Sequence, residues 1–361
     1  MAEPLKEMFN AAYYARLTEA LVASFPRMDA DAFHADVLRD LHTRELNPRM
    51  RHTSEMIRRH VPGDFRTVVE GLKEVVERMP RGYTALLYPD FVGLYGLDDA
   101  AFSLDALRHF TRYGSSEFAV REFFRRDVPG TLAVMRAWAE DADEHVRRLA
   151  SEGSRPRLPW SFRLDAVLRD PSLTRPILER LRADTSLYVR KSVANHLNDF
   201  SKDHPAYMLE IVGAWDQSNP HTAWIVKHAS RTLIKQGHAD SLAVFAFEAD
   251  AQVAVLDFRL GPDPLRLGEV LEFSFALRSE KAQDQKLVVD YVLHYVKANG
   301  QRNAKVFKLK ELTLGAGETA TFQKRQRILD MSTRKHHPGT HRLEIQVNGK
   351  VLAGRDFELL V

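Results

Sequence analysis

The hydrophobic period of this 361-residue chain changes once, after Phe247, and that change dictates the order of its fold classes. Up to about residue 248, apolar residues recur every three or four positions, the spacing of an amphipathic helix. MFNAAYYARLTEALVASF, DAFHADVLRDLHTREL, DFRTVVEGLKEVVERM and LDALRHFTRYG follow it, each punctuated by Pro, Gly or Asp. Beyond Phe247 the period is two. VAVLDFRL, EVLEFSFAL, KLVVDYVLHYV, KVFKLKEL, ETATFQKRQRI, HRLEIQV and KVLAGRDFELLV are runs of β-branched and aromatic residues that read as strands. Asn348-Gly349 between the last two is a two-residue hairpin signal.

The helical part also carries a weak internal repeat. The pairs Val120-Arg121, Val146-Arg147, Val189-Arg190 and Val226-Lys227 each set an apolar residue beside a base, at gaps of 26, 43 and 37 residues. These bracket the period of about 40 that paired-helix HEAT-like repeats show. The expected architecture is therefore α then β. Residues 1–248 form a HEAT-like α-helical repeat solenoid, and 249–361 an immunoglobulin-like antiparallel β-sandwich. Without cysteines, packing alone must hold the two sheets together.

The missing cysteines also exclude disulfides, thiolate nucleophiles and cysteine-bound metals. No apolar run reaches eighteen residues and the N-terminus lacks a secretory pattern, so a cytoplasmic protein without membrane contact is expected. The net charge of +3 conceals blocks. Residues 1–144 carry −5, 145–235 carry +6, 236–250 carry −3 and 251–361 carry +5. Two basic blocks flank an acidic joint, a distribution suited to a polyanion and equally to a solvated surface. In the second block the bases gather at Lys305, Lys308 and Lys310, at Lys324, Arg325 and Arg327, and at Arg334 to His337.

Chemistry concentrates between His145 and Trp160, HVRRLASEGSRPRLPW. Val146, Leu149 and Ala150 mark a buried helix face, with Arg147, Arg148, Ser151 and Glu152 off it. Gly153 suits a left-handed helix stop, and Pro156 and Pro159 forbid continuation. Glu152 thus stands among Arg147, Arg148, Arg155 and Arg157. Asp199 is expected on the polar side of its helix, opposite the stripe Val189, Val193, Leu197 and Phe200. Glu117 opens a helix and can pair with Arg121 four residues on. His196 reads as a packing histidine, and His336-His337 as a basic loop tip. There is no phosphate-cradling glycine loop, zinc-protease motif or nucleophile elbow, and no metal or cofactor is expected.

VRRLASEGSRPRLPW, with YGSSEFAVREF before it and YVRKSVANHLNDFSKDHP after it, resembles the AlkC branch of the DNA alkylation repair glycosylases, relatives of AlkD. The β-part resembles the immunoglobulin-like module carried by a subset of that branch. One departure from AlkD is Thr232, where a tryptophan of the DNA face would align. The resemblance implies a monomer that grips duplex DNA and frees bases made cationic by N3- or N1-alkylation, such as 3-methyladenine, 3-methylcytosine and 1-methyladenine. It implies Glu117, Glu152 and Asp199 as active-site acids, with Trp160 near the lesion. A cationic base leaves neutral, so no general acid is needed. Carboxylates beside the sugar would stabilise its oxocarbenium character or orient water, tasks expected of Asp199 and Glu152 with Glu117 in support. The bases expected to meet phosphates are Arg148, Arg155, Arg157, Arg190, Lys191, Lys227 and Arg231. The competing class is a non-catalytic HEAT-repeat scaffold that binds protein or intact nucleic acid.

Overall fold

A computed structural model describes residues 4–331 and 334–361. They fall into two compact units, one of Met1–Met208 with Ala214–Ala229, the other of Leu209–Gly213 with Ser230–Val361.

The first unit is made of HEAT-like helical repeats. Side-chain caps start its helices where the sequence places Asp or Asn. Asp64 accepts the Thr67 N–H at 2.8 Å, and Asp127 accepts the Gly130 N–H at 3.0 Å ahead of Val128–Trp138. The repeat is visible as a ladder of ion pairs. Arg108 donates to Asp141 at 2.7 Å, and Arg147 donates through Nε to Asp184 at 2.7 Å. Each acid also caps its own loop, taking the N–H two residues on at 2.9 Å (Asp143) and 2.8 Å (Ser186). Arg147 then closes the loop behind it by donating to the Asp141 and Ala142 carbonyls, as Arg190 does to those of Asp184 and Thr185.

This ladder corrects the repeat frame. The pair in register is Leu107-Arg108, which changes the gaps to 39, 43 and 37 residues. Arg121 falls outside the series because its side chain is wholly buried and serves another loop. The helix Leu187–Asp203 packs against both Glu144–Gly153 and Pro220–Ala229. With neighbours on two sides it has no single polar face. That is why Asp199, expected opposite the core, is 2% exposed.

The second unit is a sandwich of a three-stranded and a five-stranded sheet. Its strands are β1 (Val253–Gly261), β2 (Leu265–Arg266), β3 (Val270–Ser279), β4 (Gln285–Val296), β5 (Arg302–Leu314), β6 (Thr319–Arg327), β7 (Gly339–Val347) and β8 (Lys350–Leu360). The orders are β1-β3-β6 and β2-β8-β7-β4-β5, antiparallel throughout except for the two-residue β2 beside β8. All seven expected strands form, and the core between the sheets takes their alternate residues, among them Phe273, Phe275, Leu287, Tyr291, Leu293, Leu343, Ile345 and Phe357. Asn348 and Gly349 turn the β7–β8 hairpin with φ of 48° and 83°, the pair of positive angles that a type I′ turn demands.

The hairpin has a second task. The Gly349 Cα lies so close to Gly237 that a Cβ there would fall 2.0 Å from the Gly237 Cα. Asn348 takes the Val288 N–H at 2.7 Å and donates to the Glu248 carbonyl at 2.7 Å. The helices Arg231–Lys235 and Ala239–Val244, helical in period, therefore cluster with the strands, with Ile234, Leu242 and Phe247 packed on Val288. Two of the three acids of the joint are spent locally, Glu248 on Lys281 at 2.6 Å and Asp250 on Lys350 at 3.0 Å. His336 is not at a loop tip. It is 6% exposed, edge-on to Tyr295, with Asp330 accepting its backbone N–H.

Candidate active site

Three elements bring the expected acids together. Glu117 precedes the helix Val120–Arg126, Glu152 lies in the last turn of Glu144–Gly153, and Asp199 lies in the C-terminal half of Leu187–Asp203. Two arginines join them into one chain of alternating charge. Arg148 contacts Glu117 Oε2 and stands 3.6 Å from Glu152 Oε1. Arg155 donates Nη1 to the same Glu152 oxygen at 2.6 Å, and Nε and Nη2 to Asp199 at 2.9 and 3.2 Å. Lys202 ends the chain, 3.5 Å from Asp199. Hydroxyls fill the remaining directions, Ser192 donating to Glu152 Oε2 at 2.7 Å and Ser115 to Glu117 Oε2 at 2.7 Å.

Burial alone would lower the Arg148 guanidinium, but Glu152 and Glu117 beside it carry its pKa above the ordinary value. Arg155 is raised in the same way, against burial, by Asp199 and Glu152. Both cations are locked charged, so the three acids face a fixed positive scaffold. Next to it His196 is wholly buried, its rings of donors and acceptors met by the Ser151 carbonyl and Thr174. Burial, then the charge of Arg155, pushes His196 down to about 3 and keeps it neutral. It is the packing residue its apolar stripe suggested.

Above the network opens a cleft of about 630 Å³, walled by Glu117, Glu152, Arg148, Tyr113, Tyr188 and Trp160. Asp199 does not reach its wall; it lies behind Arg155. Trp160 is 75% exposed and has a φ of 64°, so a large aromatic is held out in a backbone conformation that side chains disfavour. Arg148 stacks on Tyr188, 5.0 Å from the ring centroid, and Arg190 on Trp224 at 5.7 Å. A cleft that presents the Glu117 and Glu152 carboxylates among aromatic faces can hold a cation and stabilise positive charge that develops beside them.

Several expectations about individual residues need correction. Of the four arginines around Glu152, only Arg148 and Arg155 reach it, because Arg147 is committed to Asp184 and Arg157 to Asp203 at 2.6 Å. Arg155 is 7% exposed with its donors taken by two acids, which removes it from the bases that can meet a phosphate. Arg190 is turned onto loop carbonyls, whereas Lys191 and Lys227 are exposed. Arg231 is exposed and belongs to the second unit. Ser151 and Glu152 are buried, since a second helix covers the face expected to be open. Gly153 is not left-handed. A Cβ there would come within 2.7 Å of Val120 Cγ1, so close packing requires the glycine. Glu117 pairs with Arg148 of the next repeat rather than with Arg121. The sequence carries no site reading for Tyr188 or Ser192, and offers Arg121 only as a repeat base and a partner for Glu117. An exposed tyrosine in the first turn of its helix was the readable signal for the first.

The family model described as "Uncharacterised protein YhaZ, C-terminal Ig-like domain" matches residues 254–361. Over nearly its whole length the chain is 42% identical to the uncharacterized protein YhaZ of Bacillus subtilis strain 168, covering 98% of this chain and 99% of that one. It superposes with a TM-score of 0.96 on the Pseudomonas fluorescens alkylpurine DNA glycosylase AlkC bound to DNA containing an abasic site analog. That protein is 46% identical over 99% of this chain and 100% of its own. The chain belongs to the AlkC family. It is a member with the C-terminal immunoglobulin-like domain, and the acids of its cleft lie in the helical part of the AlkC fold. Among the described residues, no helix is long and apolar enough to cross a membrane.

Proposed function

We propose that this AlkC-family chain is a DNA glycosylase that hydrolyses the N-glycosidic bond of cationic N3- or N1-alkylated bases in duplex DNA. The observation that carries the reading is the joined set Glu117–Arg148–Glu152–Arg155–Asp199, of which Glu117, Arg148 and Glu152 line an aromatic-edged cleft and Arg155 and Asp199 lie behind them. It is supported by whole-chain identity to a protein described as an alkylpurine DNA glycosylase bound to DNA.

A base with a fixed positive charge leaves as a neutral molecule, so the protein need not protonate it. The barrier lies in the sugar, which gains oxocarbenium character as the bond stretches. Glu152 at the cleft wall and Asp199, joined to it through Arg155, act as one anionic unit that stabilises this charge and orients water, with Glu117 supporting from the other side. The positive charge of the two arginines offsets that of the acids and reduces their repulsion of DNA phosphates. Lys191, Lys227 and Arg231 supply exposed charge for phosphates, and binding weakens as salt rises. The partner is duplex DNA, bound by a monomer.

The test is incubation of the chain with methylated duplex DNA and chromatographic identification of what is released. Release of 3-methyladenine, 3-methylcytosine or 1-methyladenine supports the reading. Tight binding with no base liberated overturns it.

A further inference from the structure

Among the described residues Arg121 is the largest wholly buried side chain, and its hydrogen bonds go to carbonyls and not to a carboxylate. Its Nη1 donates to the carbonyls of Gly153 at 3.1 Å and Arg155 at 2.7 Å, and its Nη2 donates to the Phe162 carbonyl. Its Nε is buried with no hydrogen-bond partner. A guanidinium buried on three carbonyls is an expensive element, because dipoles repay less of its lost hydration than a carboxylate would. The cost shows in its pKa, pushed down to about 10 by burial and then by the charge of Arg155.

The three carbonyls define what is gained. They lie at the start and end of the segment 153–162, which leaves the helix Glu144–Gly153, carries Arg155 to the acids and raises Trp160 at its tip. Its backbone hydrogen bonds run from Arg155 N–H to Glu152, from Ser161 N–H to Leu158, and from the Leu164 N–H that follows it to Pro156, at 3.3, 3.3 and 3.1 Å. Ser154 Oγ anchors the start on the Ala150 and Ser151 carbonyls and Arg157 grips Asp203, which leaves the Gly153, Arg155 and Phe162 carbonyls to Arg121. Phe162 is also gripped from outside by Arg125, which stacks 3.6 Å from its ring centroid. Positive φ at Trp160 would relax in a loop free to move.

We propose that Arg121 is a positioning residue for base release: by tying the Gly153, Arg155 and Phe162 carbonyls together it fixes Arg155 between Glu152 and Asp199 and holds Trp160 over the cleft. Arg121 touches neither DNA nor the reacting atoms, and it acts through the loop. This rests on the glycosylase reading for its consequence, though not for its geometry.

The test compares the full chain with Arg121→Met, Arg121→Lys and a core truncation elsewhere, Val68→Ala, at temperatures where each is folded. Single-turnover base release, Kd for undamaged duplex, and amide hydrogen exchange across 154–164 are measured. Arg121→Met is expected to slow release by ten- to a hundredfold while Kd changes less than threefold, with faster exchange confined to the loop. Arg121→Lys keeps the charge and some of the carbonyl contacts and recovers part of the rate. Val68→Ala releases base at the wild-type rate. Unchanged release in Arg121→Met, or an equal loss in Val68→Ala, overturns the proposal. If the wild-type chain frees no base, the glycosylase reading falls, and loop exchange in Arg121→Met alone decides the positioning: faster exchange upholds it and unchanged exchange overturns it.

Discussion

Glu152 receives Arg155, Arg148 and Ser192, and its neighbours Glu117 and Asp199 are held by the same two arginines, so none of the three acids can be changed in isolation. Glu152→Gln and Asp199→Asn keep shape and a hydrogen-bonding oxygen but remove one negative charge. Each is expected to slow single-turnover base release on the order of a hundredfold, about 2.7 kcal/mol of transition-state stabilisation. The double variant should lose less than the product of the two, because the acids act as one unit. Wild-type release in both single variants would remove the acids from catalysis. Asp199→Asn also leaves Arg155 buried beside a neutral partner, so the urea midpoint should fall by an amount worth about 1–3 kcal/mol. Resemblance points to these three acids, and the structure joins them in one network. Their pairing was not legible in the sequence, because Arg148 and Arg155 find their acids across repeats, and spacing along one helix cannot report a neighbour 31 or 44 residues away.

At the scale of elements, local structure was readable and packing was not. The change of period at Phe247 marks where strands begin, and β1 does open at Val253. Where the second unit begins is a tertiary matter that no period encodes. Ile234, Leu242 and Phe247 bury against Val288, and Gln346 donates to the Lys235 carbonyl at 2.8 Å. Each such apolar side chain contributes about 1.5–3 kcal/mol when fully buried. A fragment of residues 230–361 should therefore unfold at a clearly higher urea concentration than one of 249–361, and equal midpoints would show that the two short helices add nothing. The same limit applies to the helix Leu187–Asp203. Its stripe Val189, Val193, Leu197 and Phe200 is buried as expected, yet Asp199 opposite it is buried as well. One helix pattern shows which side is apolar and not how many neighbours cover the rest.

Across the whole molecule, one buried group in each unit, His196 and Asp290, responds to acid in the opposite direction to the other. In the helical unit His196 is held neutral, with its pKa lowered by burial and Arg155 to about 3. The unfolded chain takes up this proton near pH 6.5 and the folded one does not, so stability is full above 6.5 and lost as the pH falls towards 3. In the β-sandwich Asp290 is 1% exposed with neither carboxylate oxygen hydrogen-bonded, and burial pushes it up to about 6 against the pull of Lys235. There the folded state holds the proton more tightly, so its stability is full below about 4 and lost as the pH rises through 6. Between pH 7 and 5 His196 should cost the helical unit about 2 kcal/mol and Asp290 should add about 1 kcal/mol to the sandwich, the latter opposed by His341, which is buried there and whose pKa burial lowers. The tryptophans separate the signals, since Trp138, Trp160, Trp215 and Trp224 all lie in the first unit. Tryptophan fluorescence should report a lower melting temperature at pH 5 than at pH 7. Methyl resonances of β-sandwich residues such as Val289 and Leu343 should persist to a higher one. Asp290→Asn should remove the second shift and stabilise the sandwich at pH 7 by about 1–3 kcal/mol, while His196→Gln should flatten the first. Fluorescence and methyl signals that shift together in the same direction with pH would show that neither group governs its unit's acid response.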